Sequence, residues 1–157
     1  NNGALVLNGN TVTTDTGSYR YTQPNGFDAD CNGECIGNDT DLGWFDVVLG
    51  GPTSRAGARV GGSATSYAGI VDFFDMANNL LGSVNFGNNA GMVFVGWEDL
   101  SVGIGRVRFT DTASNGRILH LDDFRFEAAN VVPLPGTLAL AGLALLGMGF
   151  VRRSQKA

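Results

Sequence analysis

Lysine is absent until Lys156, and the 157 residues include one histidine, two cysteines and four prolines. Each scarcity removes a class of function. The first 130 residues set seven arginines against fifteen carboxylates, a formal net charge of −8. Binding to phosphate backbones needs a basic footprint, so nucleic acid is excluded as a partner. An acidic body suits a soluble surface or cation binding. His120 is the single histidine and lies in "ILHLDD", a strand-like stretch. With no second histidine and no nucleophile motif it reads as a structural residue rather than a general base. The scarcity of proline, against twenty-four glycines, favours a chain of tight turns over a Pro-rich disordered one.

No G-x-S-x-G occurs; "GGSATS" and "GPTSRAG" are turn chemistry, and "GIGR" lacks the rest of a dinucleotide fingerprint and precedes a strand. Asp72, Asp75, Glu98 and Asp99 could supply an acid pair for glycoside hydrolysis, but spacing along the chain does not set their separation in space. The reading is a non-enzyme.

The length suits one domain with one core. From Ala4 to about Glu127 short β-rich runs alternate with turns: "ALVL", "TVTTDTGSYRYT", "WFDVVL", "MVFVGW", "IGRVRFT" and "RILHLDDFRF". Gly50-Gly51-Pro52 predicts a break after "WFDVVL". "IVDFFDM" and "LLGSVNF" flank Ala77-Asn78-Asn79 and predict a hairpin over Ile70–Phe86; a helix over Tyr67–Leu81 is the rival, weakened by Gly69 and the Asn pair. Val107 and Phe109 alternate with Arg106 and Arg108, as in a half-buried strand. Leu119 and Leu121 lie on the opposite parity from Phe124 and Phe126, which predicts a bulge near Asp122-Asp123. Seven or more such strands predict a mainly β protein, a single jelly-roll-like β-sandwich over residues 1–130. Residues 131–136 form a Pro-containing linker, and residues 137–157 a C-terminal hydrophobic α-helix with a basic tail.

"DADCNGECIGND" (Asp28–Asp39) fits a calcium-loop pattern of hard oxygen ligands around a central glycine. Asp28, Asp30, Asn32, Glu34 (through its carbonyl) and Asp39 are the candidate ligands for a structural Ca²⁺. The flanks are not helical, so this is no EF-hand, and a solvated polar turn is the alternative. Cys31 and Cys35 lie inside the loop. In an exported protein a local disulfide is expected of them, with intermolecular bridging as the alternative. Trp44 and Trp97, with Tyr19, Tyr21 and Tyr67, could form a sugar-stacking platform if exposed; core packing is the commoner role for such residues.

The sequence starts Asn1-Asn2-Gly3, which suggests removal of a secretory leader. Leu134 to Val151 is free of charge and, as a helix, would be about 27 Å long, just enough for a hydrocarbon core of about 30 Å. Pro133 and Pro135 suit its start, and Arg152, Arg153 and Lys156 would stay cytoplasmic. A helix buried in the globular domain is the rival. Val132-Pro133-Leu134-Pro135, the apolar run and Arg152-Arg153 together resemble the PEP-CTERM sorting signal of Gram-negative bacteria, with Leu134 in place of the usual Glu. That resemblance implies export, transient membrane anchoring through a transmembrane helix, and processing by an exosortase-type enzyme. Release to the cell surface or the exopolysaccharide matrix would follow. The hairpin, "VGWEDL", "IGRVRFTDT" and "LDDFRF" are similar to jelly-roll bodies that such proteins carry. In carbohydrate-binding modules of that kind an Asp on the closing strand holds a structural calcium, a role open to Asp122 or Asp123 beside that of a solvated bulge. The expected function is a cell-surface or extracellular-matrix structural protein. It includes the possibility of a homopolymeric filament subunit, because an apolar helix retained outside a membrane needs equivalent helices to pack on. The alternative is a carbohydrate-binding, lectin-like module acting on exopolysaccharide.

Overall fold

In the computed structural model, the described residues are 5–7, 10–15, 19–22, 35–38, 42–61, 67–89, 91–113 and 119–128. They form ten strands: β1 (Leu5–Leu7), β2 (Asn10–Thr14), β3 (Tyr19–Thr22), β4 (Cys35–Asn38), β5 (Trp44–Gly61), β6 (Tyr67–Phe74), β7 (Leu80–Asn89), β8 (Val93–Glu98), β9 (Ile104–Asp111) and β10 (His120–Ala128). Every pairing is antiparallel.

The architecture turns on β5, whose 18 residues serve two layers. Its first half pairs with β2 and β9, giving a layer in the order β1-β2-β5-β9-β6-β7. Its second half pairs with β10 and β8, giving β3-β4-β10-β5-β8. Between the halves the register with β9 slips from Val48↔Arg106 to Thr53↔Ile104. Phe45, Val47 and Leu49 point inward before the slip; Ala56, Ala58 and Val60 point inward after it. The change of parity is what a bulge produces, and Gly50-Gly51-Pro52 lies in it. The break expected there is therefore a bend inside one continuous strand. Glycine and proline here redirect the ladder without ending it.

Between the layers sits the core: Val12, Phe45, Val47, Val71, Phe73, Val107 and Phe109 from the first, and Ile36, Ala56, Ala58, Val60, Val95 and Leu121 from the second. Rings meet across the interior. Phe73 stacks on Trp97 with centroids 5.7 Å apart, and Phe109 meets Phe124 edge-on at 6.3 Å. The mainly β sandwich expected from strand spacing is present.

The β6–β7 hairpin forms, and no helix occupies Tyr67–Leu81, since the Asn pair is in the turn. Asp75 Oδ1 accepts from the backbone N–H groups of Ala77 and Asn79, each at 2.8 Å, and Asn78 takes the left-handed conformation with φ 65°. The bulge expected near Asp122-Asp123 is also present: the β10–β5 register shifts between Asp122 and Arg125, and Asp123 has φ 49°. One strand was not foreseen. β4 starts at Cys35, inside the stretch read as a loop, and pairs with β3 and β10. The C-terminal helix and the linker lie outside the described residues, as does the dividing line at residue 130.

Candidate functional site: a groove on the outer face of the second layer

Alternation along β8 decides what the second layer shows to solvent. Val95 and Trp97 point inward, so Phe94, Gly96 and Glu98 point outward. Register then builds two outward rows across three strands: Glu98, Arg55 and Glu127 in one, Gly96, Gly57 and Arg125 in the next. The glycine row has no side chains in its middle, and the ring of Phe94 lies over it. A Cβ on Gly57 would stand 2.8 Å from Phe94 Cζ, and one on Gly96 would stand 3.1 Å from Phe94 Cε1. Phe94 remains 57% exposed.

The charged row forms a rim. Arg55 donates from Nε and Nη2 to Glu98 Oε1 at 3.0 and 2.7 Å, and from Nη1 to Glu127 Oε2 at 3.2 Å. Its hydrogen bonds to Glu98, then the two negative charges, push the guanidinium pKa further up. All three side chains are about half exposed, so the trio adds little stability. It presents fixed donors and acceptors beside an apolar ring. Together these residues, with Ala56, Trp97, Arg125 and Phe126, line a groove of about 550 Å³. An exposed ring flanked by planar acceptors and donors can stack an apolar sugar face and hydrogen-bond its hydroxyls.

Trp97 lines the groove but packs against the core. Its ring packs inside against Phe73 and over Gly82, and its buried indole N–H has no acceptor among the described residues. Trp44 is half-buried on the outer face of the first layer, with the Arg108 guanidinium 4.3 Å above its ring. The structure therefore does not bring the two tryptophans together. Phe94 escaped the sequence reading because "MVFVGW" is apolar at both parities, which leaves the facing of the strand undetermined. The available signal was Gly96, whose missing side chain marks the face on which a neighbouring ring can lie.

The first layer has a polar cluster that sequence reading also missed. Asp46, 7% exposed, receives Arg106 Nη1 at 3.0 and 3.1 Å, Arg108 Nε at 2.8 Å and Arg108 Nη2 at 2.6 Å. Those hydrogen bonds, opposed by desolvation, hold the Arg108 pKa up. Arg106 also lies 3.7 Å over the ring of Phe74. The charges of this cluster are satisfied internally, which marks it as a structural clamp.

His120 is buried in β10 opposite Gly37 and Gly61. Of the four carboxylates considered for hydrolysis, Asp72 accepts from the Ser83 hydroxyl at 2.5 Å, Asp75 and Asp99 cap turns, and Glu98 pairs with Arg55. At the bulge the Asp123 N–H donates to Asp122 Oδ1 at 2.7 Å, and Asp123 lies 3.6 Å from Arg125. Among the described residues no three His, Cys, Asp or Glu gather as a metal site, and no helix is long and apolar enough to cross a membrane. Asp28, Asp30, Asn32, Glu34, Asp39 and Cys31 lie outside the described residues, as do Val132 to Pro135, Arg152 and Arg153. Cys35 is fully buried, its sulfur 3.9 Å from that of Met92. The side chains of Tyr19, Tyr21 and Tyr67 are not described.

The fold defines a β-sandwich resembling carbohydrate-binding jelly rolls. The carbohydrate-binding module TmCBM61, solved in complex with β-1,4-galactotriose, aligns at 16% identity and a TM-score of 0.51, covering 77% of this chain and 89% of that one. A module from Clostridium stercorarium, in complex with cellobiose, aligns at 17% identity and 0.44 over 74% and 86%. A family 11 module from Clostridium thermocellum, in complex with a β-1,3-1,4-mixed-linked tetrasaccharide, aligns at 10% and 0.45 over 81% and 95%. At these identities the likeness is one of fold. Residues 131–153 match the PEP-CTERM protein-sorting motif, the segment that residue reading had singled out, Leu134 included. The motif indicates export and surface sorting in Gram-negative bacteria. No curated protein matches the sequence.

Proposed function

We propose that the chain is a surface-sorted, glycan-binding β-sandwich that takes a polysaccharide strand in the groove over Gly57 and Gly96. The observation that carries this reading is the Phe94 ring, more than half exposed on a glycine floor beside the Arg55–Glu98–Glu127 rim. A solvent-facing aromatic ring next to fixed polar groups has no role in the core. It meets the two demands of a sugar, an apolar face and a ring of hydroxyls. Both carboxylates of the rim are engaged by Arg55, an arrangement suited to holding a ligand's hydroxyls. The sorting tail, read as a membrane-spanning helix until an exosortase-type enzyme cuts it, would hold the module at the membrane and then release it into exopolysaccharide. Within that reading Asp28, Asp30, Asn32, Glu34 and Asp39 form an all-oxygen donor set that fits Ca²⁺, with Cys31 and Cys35 bridged inside the loop.

Titration of the protein with β-1,4-galactotriose, cellobiose, a β-1,3-1,4-mixed-linked tetrasaccharide and bacterial exopolysaccharide tests the proposal. Saturable binding to at least one, lost in Phe94→Ala, supports it. No binding to any of them sinks it and leaves a structural matrix role, including a filament subunit, to be examined by electron microscopy of the exported protein.

A further inference from the structure

One end of the sandwich gathers three exposed apolar side chains, on two turns, around the point where β10 ends. Ala128, the last residue of β10, pairs with Thr53 at the bend of β5. The loop joining β8 to β9, residues 99–103, is tied to the same bend. The Asp99 N–H donates to the Ser54 carbonyl at 2.8 Å, and Gly103 packs against Pro52 so closely that a Cβ would stand 3.0 Å from Pro52 Cβ. The tip of the β6–β7 hairpin completes the end, with Met76 against Gly105. From these tips Leu100, Val102 and Met76 project to solvent, 79%, 58% and 53% exposed.

Both turns satisfy their own backbone. Asp99 Oδ1 accepts from the N–H groups of Ser101, Val102 and Gly103 and from the Ser101 hydroxyl. Asp75 does the same for Ala77 and Asn79. Loops whose donors are already engaged can approach an apolar phase without stranding polar groups. Residues 50–53, 75–80 and 99–103 contain no Arg or Lys, and the guanidinium that reaches the hairpin, Arg106 donating to Asn78 Oδ1, is neutralised by Asp46, so any attraction of this end is apolar and not ionic. Only five residues, 129–133, separate Ala128 from the charge-free run Leu134–Val151, at most about 18 Å of chain. While that run spans a bilayer, the end that carries it lies within reach of the lipid surface.

We infer that this end is a membrane-docking face: Leu100, Val102 and Met76 enter the interface of a lipid bilayer while the sorting tail is inserted, fixing the module upright on its anchor. The inference rests on the membrane-spanning reading of the tail given above. Salt leaves the docking unchanged, and zwitterionic lipid suffices for it.

The test uses the full chain reconstituted into phosphatidylcholine vesicles, with and without brominated acyl chains, and reads tryptophan emission. Leu100→Trp is expected to lose at least half its added emission in brominated lipid, in low and high salt alike. Asn85→Trp, an exposed position on β7 away from this end, is expected to show only the quenching of the parent protein. Val102→Trp replaces Leu100→Trp should that variant fail to fold. Vesicle flotation without quenching at position 100 or 102 overturns the docking face while sparing the anchor. A blue-shifted but unquenched signal assigns the face to a second copy of the chain and also overturns it. Failure to float removes the anchor and the inference with it.

Discussion

The ring of Phe94 lies across Gly57, close enough that a methyl group there would stand 2.8 Å from Phe94 Cζ. A bulkier residue at position 57 would also meet the Val95 carbonyl, so the glycine and the ring form one surface. Phe94→Ala should therefore act on binding and not on folding. We expect a loss of at least tenfold in oligosaccharide affinity, about 1.4 kcal/mol. The melting temperature should stay near that of the parent, because the ring is mostly in solvent. Isothermal titration beside thermal unfolding checks both halves.

Asp46 sits between two guanidiniums on neighbouring outward positions of β9. Asp46→Asn leaves Arg106 and Arg108 facing each other with only a neutral acceptor between them. Because the carboxylate is largely shielded, the expected cost is about 3 kcal/mol, read as a lower urea midpoint. Arg106→Ala should cost less, since Arg108 still holds Asp46 through two hydrogen bonds.

Most of the strands, the hairpin, the bulge at Asp122-Asp123 and the sorting segment were legible because each depends on neighbours along the chain. The alternation of Val107 and Phe109 with two arginines could be read directly, and both apolar residues are fully buried. What was not legible depends on register between distant strands. Asp46 meets its arginines across 60 and 62 residues, and Phe94 finds its glycine floor across a strand pairing. β4 was hidden because its four residues, Cys-Ile-Gly-Asn, have no alternation of their own and are strand only by pairing with β3 and β10.

Trp97 distinguishes a core ring from a ligand platform. It stacks on Phe73 and covers Gly82, so Trp97→Ala should open a cavity between the layers and cost about 3 kcal/mol. The variant should keep its sugar affinity under conditions where it remains folded. A stable Trp97→Ala protein that no longer binds sugar would move the platform from Phe94 to Trp97.

Calcium and the Cys31–Cys35 bridge can be read together on the exported protein. Chelation with EDTA should lower the melting temperature, and added Ca²⁺ should restore it, as mass action requires of a ligand that binds only the folded state. Asp30→Ala should remove that response. Intact mass before and after reduction should differ by two hydrogens, with no change in the number of chains.

Asp99 offers the pH test with the sharpest local readout. Hydrogen bonds from the Val102 N–H, then from the Ser101 hydroxyl and N–H, hold its carboxyl at about 2, against an ordinary 3.8. A carboxylate whose pKa is lowered by folding contributes stability above the unfolded value, and the contribution fades as pH falls toward the folded one. Loop 99–103 should therefore keep its conformation at pH 5 and loosen only between about pH 4 and 2. Asp75, lowered mainly by the Asn79 side chain, shifts in the same direction, so global unfolding would mix the two turns. The amide resonances of Ser101 and Val102 separate them, since both groups donate to Asp99. Their titration midpoint should fall near 2, and in Asp99→Asn, which keeps an acceptor oxygen but cannot titrate, the step should vanish. A midpoint near 3.8 would mean that the cap does not hold in solution, and Leu100 and Val102 would then lose the fixed loop that presents them.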